Sequence, residues 1–322
     1  MSIAASDILF YKAASNNDTA SNGGRPGTTQ VVTGSLNNLF PDVSQAQRTA
    51  GLTRYRKLFL RNMNTGNLSM YSGEVWIYTR SLADDYFQLK AATDTDTQTD
   101  AEGYRNWAGT GLLNAAAGSG ETSIDVDYDV SAEGVFDGAN LHITDGVNTV
   151  DLTVNGVPAW DGVTATIALS GALGYNFDHT TTVVSTMVDL GTVEKSSDSW
   201  TENSSAGTYD EATYPVVGYN VGTVTDAWTL TFSDTQNFSV VGLNTGAVGS
   251  GDISSDCHPS NGSSYYFNID KDGWGGSWAL GDTVTFNTVH AGKAFWVKEV
   301  VPAGVASYSE NNVLLGWRGE SA

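Results

Sequence analysis

The sequence predicts an all-β protein, with two or three β-sandwich domains of Ig-like or jelly-roll-like style behind an extended N-terminal arm. Three observations carry this prediction. The 322 residues include 36 glycines, and only 16% are charged, so polarity comes mainly from Gly, Ser, Thr, Asn and Asp. Those residues favour turns and strands over helix interiors. Strand-like runs of alternating apolar residues recur roughly every 8–12 residues with Gly-containing turns between them, the spacing of a sandwich. No apolar stripe of helical period runs much beyond about ten residues.

The elements follow in order. SNNDTASNGGRPGTTQ (Ser15 to Gln30) is nearly all turn formers, so residues 1–50 read as an extended arm or loop. SQAQRTAGL (Ser44 to Leu52) is the best short-helix candidate. TRYRKLFLRN and LSMYSGEVWIYTR flank the turn Asn64-Thr65-Gly66-Asn67, a hairpin signal within a first β unit at 51–104 that packs alone or with the third block. The acidic run Thr93 to Gly103 reads as a linker or large loop. A sandwich follows at 105–190, with SIDVDYDV, ANLHITDG, TVDLTVNGV, TATIALSG and TTVVSTMV as strands. Asp145-Gly146, Asn155-Gly156 and Asp161-Gly162 supply its turns. A second sandwich at 191–322 holds AWTLTFSD, NFSVVGLN, SYYFNID, DTVTFNTV, KAFWVKEVV and NNVLLGWRGE.

Charge and cysteine narrow the function. Fifteen basic against 36 acidic residues give a formal charge of −21, which repels nucleic acid. No apolar run is long enough to span a bilayer, and the N-terminus lacks a basic region and long apolar stretch of secretory type, so synthesis in a cytoplasm is expected. A single cysteine, Cys257, rules out an intrachain disulfide and a multi-thiolate metal site. Five of the fifteen basic residues, Arg48, Arg54, Arg56, Lys57 and Arg61, fall within fourteen positions. They are read as a patch that docks on an acidic partner surface or on another copy of the chain, against the plainer reading of solvent-facing positions on one strand.

Catalytic motifs are not found. The chain has no G-x-S-x-G, H-E-x-x-H, Walker loop or C-x-x-C, and Gly109-Thr110-Gly111 lacks the third glycine of a dinucleotide loop. The protein is therefore expected not to be an enzyme and to need no cofactor. One exception is kept open: Asn268, Asp270 and Asp272, followed by Gly273, match the first half of a calcium loop, with Ala279 at the closing position and Asp282 nearby. Asp94, Asp96, Asp100 and Glu102 also alternate, but without a glycine or closing acid in register. Trp274 and Trp278 in DGWGGSWALGD form the best local case for stacking a sugar, against the plainer reading of core aromatics.

Two segments carry a resemblance. SLNNLFPDVSQAQRTAGLTRYRKLFLRNMNTGNLSMYSGEVWIYT (Ser35 to Thr79) and GWGGSWALGDTVTFNTVHAGKAFWVKEVVPAG (Gly273 to Gly304) resemble structural proteins of tailed-bacteriophage virions, over about a quarter of the chain. The resemblance implies a non-enzymatic particle component: an outer-surface capsid decoration or a tail or baseplate element. It would be made in the host cytoplasm and held by contacts with other capsid or tail subunits and with its own copies. The alternative class is a carbohydrate-binding protein contacting host surface glycans through Trp274 and Trp278. A polysaccharide-degrading enzyme has the least support.

Overall fold

Strands account for 48% of the chain and helix for 5%, so the fold is all-β. The computed structural model describes residues 2–130, 134–309 and 311–321. Five strands come first: β1 (Ile8–Ser15), β2 (Gly23–Gln30), β3 (Leu52–Asn62), β4 (Met70–Thr79) and β5 (Tyr86–Ala91). Between them lies the helix α1 (Gln45–Ala50), capped by Ser44 and Gln47 in a capping box. A second short helix is α2 (Gln98–Glu102). Then follow β6 (Thr110–Leu113), β7 (Ser123–Tyr128), β8 (Asn140–Thr144), β9 (Thr149–Thr153), β10 (Ala159–Trp160), β11 (Thr164–Ala168), β12 (Val183–Thr186) and β13 (Val188–Val193). The next run is β14 (Ser196–Asn203), β15 (Gly207–Tyr209), β16 (Asp226–Phe232), β17 (Asn237–Gly242), β18 (Gly246–Asp252), β19 (Ser260–Asn261), β20 (Ser264–Tyr265), β21 (Trp274–Gly276) and β22 (Thr283–Val289). The chain closes with β23 (Gly292–Val301) and β24 (Leu314–Ser321).

The base of the molecule is assembled from distant parts of the chain. One sheet has the order β2-β1-β3-β23-β5 and a second the order β13-β4-β24. Their facing side chains share one core, including Leu58, Leu60, Val75, Ile77, Val193, Phe295 and Val297. Strand β3 is central: it pairs with β1 from Lys12–Leu58 to Ile8–Asn62, and with β23 from Arg61–Gly292 to Leu52–Val301 without a bulge. Residues 8–30, expected as part of an extended arm, are therefore a β-hairpin added to this sheet, although Pro26 and six glycine or asparagine positions disguise it. Pairing with β3 supplies an order that the local sequence does not signal.

Two β units interrupt the base. Residues of β6–β12 form a seven-stranded sheet, β10-β11-β7-β6-β12-β8-β9. An additional bridge between Val154, just past β9, and Leu169, just past β11, links the two sides of this row, curling it around Val126, Leu141, Ile143, Ala165, Ile167 and Val184. The second unit carries the sheet β14-β22-β16-β17-β18. The inward residues of β16, Trp228, Leu230 and Phe232, pack with Phe238, Phe267, Phe286 and Trp278. Each unit starts and ends on paired residues, Thr110 with Ser185 and Ser196 with Val289. The base can therefore accept each insertion without its own strands moving apart.

Candidate functional site

The five basic residues grouped by sequence do not form a surface patch. Side chains alternate along a strand, so Arg54 and Arg56 point to the face shared with Leu58 and Leu60, while Lys57 and Arg61 point to the opposite face with Phe59. Both faces of β3 are covered, and Arg54 and Arg56 are each only 3% exposed. Burying a charge is costly unless it is paired, and Arg54, Arg56 and Lys57 are each paired with a carboxylate. Arg54 donates from Nε to Glu299 Oε2 at 2.6 Å and from a terminal nitrogen to the Pro41 carbonyl at 2.8 Å. Arg56 lies 2.6 Å from Asp18 Oδ1 and donates to the carbonyls of Leu39 and Asn17. Both guanidinium groups sit over the Phe40 ring. Arg61 lies over Tyr11, and Arg48 donates to the Val43 carbonyl beside the last turn of α1. The expected docking role of this cluster is corrected accordingly: β3 is a central strand, and its cations hold the base together. Burial pushes the Glu299 carboxyl up to about 7, against the pull of Arg54.

On the other face of β3 lies a cluster built around Asp96, in the loop read as a linker. Lys57 is 1% exposed and Asp96 7%. Lys57 Nζ is 2.5 Å from Asp96 Oδ1, and it donates to the Asp96 carbonyl oxygen at 3.0 Å. The Tyr104 hydroxyl and Trp296 Nε1, the latter at 3.2 Å, both donate to Asp96 Oδ2. Tyr55, Trp107 and Trp296 wall the cluster, and Phe59 lies beside the ammonium. Burial lowers the Lys57 pKa, against the hydrogen bond and charge of Asp96. Two residues away, Asp94 Oδ2 accepts from Thr225 at 2.9 Å and lies 3.3 Å from His290 Nδ1. Burial pushes the Asp94 carboxyl up, but bonds and charge from His290 and Thr225 outweigh it and hold it below its usual value. An open groove of about 510 Å³, lined by Thr93, Thr95, Asp100, Gly103 and Tyr104, reaches Asp96 from solvent.

A second polar cluster joins the base to the first inserted unit. Arg318 on β24 reaches Glu74 on β4 at 2.5 Å and Asp151 on β9 at 2.6 Å. Asp151 also meets His142 Nδ1 at 2.8 Å, and the His142 ring packs on Trp76. A groove of about 650 Å³ opens beside Glu74, Asn140 and Arg318. Sequence reading singled out the alternating acids near Asp96 but not their partners. Lys57, Trp296, His290 and Arg318 come from segments whose adjacency only strand pairing creates.

The remaining candidates lie elsewhere. Trp278 is 2% exposed and stacks on Phe232 with centroids 4.3 Å apart, and Trp274 packs edge-on against it and against Tyr209. The expected sugar-stacking pair is thus part of the core of the second inserted unit. The pairing of β15 with β21 draws it inward, and the Trp278 ring lies directly against Gly207. The half calcium loop is not gathered around one point. The Asn268 backbone pairs with Val217, Asp270 caps the turn by accepting from the Asp272 amide, and Asp272 pairs with Lys271. Asp282 accepts from Ser204 Oγ and the Ala279 amide. Among the described residues no group of three or more His, Cys, Asp or Glu side chains is placed to hold a metal.

The geometry thus defines an all-β protein in which two inserted units are carried on one discontinuous base. No family model and no curated protein matches the chain. Among solved structures it is similar to the phage phi92 endosialidase, at 15% sequence identity and a TM-score of 0.18. That alignment covers 56% of this chain and 30% of the endosialidase chain.

Proposed function

We propose that this chain is a structural component of a tailed-bacteriophage virion, an outer-surface capsid decoration or a tail or baseplate element, acting through protein–protein contacts and not as an enzyme. The observation that carries this reading is the pairing of β3 with β23. The two segments that resemble virion proteins, residues 35–79 and 273–304, stand at opposite ends of the chain yet supply adjacent central strands of one base. In this reading the base docks on the particle and the two inserted units face solvent. Both inserted units are tied to the base, through Asn220 to the Leu68 carbonyl and through Arg318 to Asp151.

With Arg54, Arg56 and Lys57 engaged inside the base, docking falls to the outer edges of its sheets. Strands β2 and β24 end their respective rows, and an edge strand offers unpaired backbone groups to a neighbouring subunit or a second copy. Each of these cations is neutralised by an acid of the same chain, so the net charge of −21 rests on the other groups and the complementary neighbour is basic.

Quantitative peptide mass spectrometry of particles purified from producing cells tests the reading, before and after a high-salt wash. The expected result is a fixed copy ratio to the principal shell or tail-tube protein in both samples. Absence from the particles would overturn it.

A further inference from the structure

We propose that Lys57 and Asp96 become joined by an intramolecular amide bond between Nζ and Cγ, so that the mature base is covalently cross-linked. This inference rests on the geometry of the buried cluster and is independent of the virion reading.

The two groups are held in contact before any reaction. Lys57 is fixed on the central strand β3. The Asp96 carbonyl accepts from the Gly24 amide at 2.8 Å as well as from Lys57 Nζ. Position 23 is closed over the pair, since a Cβ on Gly23 would lie 2.6 Å from the Trp296 ring and 2.9 Å from the Asp96 carbonyl oxygen. Nζ stands 2.5 Å from Oδ1, an oxygen that receives no other donor. An amine and a carboxyl pinned this way react as one molecule, which removes the entropic part of the barrier.

The surroundings supply the rest. An aromatic enclosure disfavours the separated ammonium and carboxylate charges, and a proton passing from Nζ to the carboxylate leaves a neutral amine beside a carboxylic acid. Nζ attacks Cγ, and Oδ2 carries the developing negative charge. Oδ2 already receives the Tyr104 hydroxyl and Trp296 Nε1, the donors an oxyanion needs. The Nζ–Cγ bond forms, the Cγ–Oδ1 bond breaks, and an Nζ proton passes to Oδ1, which leaves as water. One amine and one acid give one amide and one water, with no oxidant or co-reactant. The groove lined by Thr93, Thr95, Asp100 and Gly103 gives that water a path out.

The test is mass spectrometry of the purified full chain, fresh and after prolonged incubation at physiological temperature, intact and after denaturation and trypsin digestion. The expected intact mass is lower than the sequence mass by one water. The expected digest holds a branched peptide joining Lys57–Arg61 to Ala91–Arg105, because trypsin does not cut after an acylated lysine. A Lys57→Arg variant should restore the sequence mass and abolish the branched peptide. A wild-type chain of full sequence mass after incubation, with free cleavage after Lys57, would overturn the proposal. So would a one-water loss that maps to an Asp-Gly step such as Asp145-Gly146, where a cyclic imide has the same mass deficit but yields no branched peptide. The wild-type digest decides the matter even if the variant fails to fold.

Discussion

Glu299 shows how one buried side chain sets a pH dependence. Its carboxyl belongs to a pair with Arg54, yet burial raises it from 4.5 to about 7. For an acid raised in the folded state, the unfolded chain releases the proton first. Stability from this group is therefore complete below about 4.5 and falls as pH rises towards 7. The expected span is on the order of 3 kcal/mol. Asp94, Asp151 and Asp226 are lowered in the folded protein, so their contributions are lost only on acidification below the usual carboxylate range. Between pH 8 and 5.5 the protein should gain thermal stability. A Glu299→Gln variant, less stable overall because Arg54 loses its counter-charge, should lose part of that gain. Thermal melts of both proteins at the two pH values check this, and equal slopes would remove Glu299 as the cause.

Among the elements, β3 and the β15–β21 pair show how position in a sheet overrides side-chain chemistry. The basic run of β3 has the composition of an exposed strand, but neighbours on both edges and both faces bury it. The helix α1 was legible because a local device, the Ser44–Gln47 capping box, specifies it. The turn after β3 was legible too, but the hairpin expected from it is corrected: β3 and β4 belong to different sheets, so Asn64–Asn67 carries the chain from one layer of the base to the other. The hairpin of β1 and β2 was not legible, since β1 is ordered by pairing with β3, and β2 in turn by pairing with β1, not by their own residues. In the second inserted unit, the Gly207–Gly276 pairing brings Trp278 onto Gly207, where an added Cβ would stand 2.3 Å from the indole. Gly207→Ala should destabilise this unit by roughly 1–3 kcal/mol, the usual cost of overpacking. Chemical denaturation followed by tryptophan fluorescence should show the lower midpoint. An unchanged midpoint would mean that Trp278 has room to move aside.

Across the whole molecule, each inserted unit has its own hydrophobic core and leaves and rejoins the base at neighbouring residues. Cutting out residues 110–186 and joining the ends with a short glycine linker should therefore leave a folded base and second unit. The contacts of Arg318 with Asp151 and of Asn140 with Glu74 would be lost, so a reduced melting temperature is expected, with a cooperative transition retained. Circular dichroism and limited proteolysis would read this out. Loss of all cooperative unfolding would mean that the base depends on the insertion to fold.

Turn chemistry, period-two alternation and composition are local, and the sequence by itself determined from them an all-β chain, most of its strands and the short capped helix. Local signals also marked Asp94, Asp96 and Asp100 as an alternating acidic run, and the segments 35–79 and 273–304 as resembling one class of protein. The tertiary structure alone decided that those segments are neighbours in one sheet, that the cations of β3 face inward, and that Lys57 meets Asp96. The physical reason is the same each time. A strand's own residues set which side chains share a face, but its hydrogen-bonding partners, brought from as far as β23, set whether that face meets water or another layer of protein.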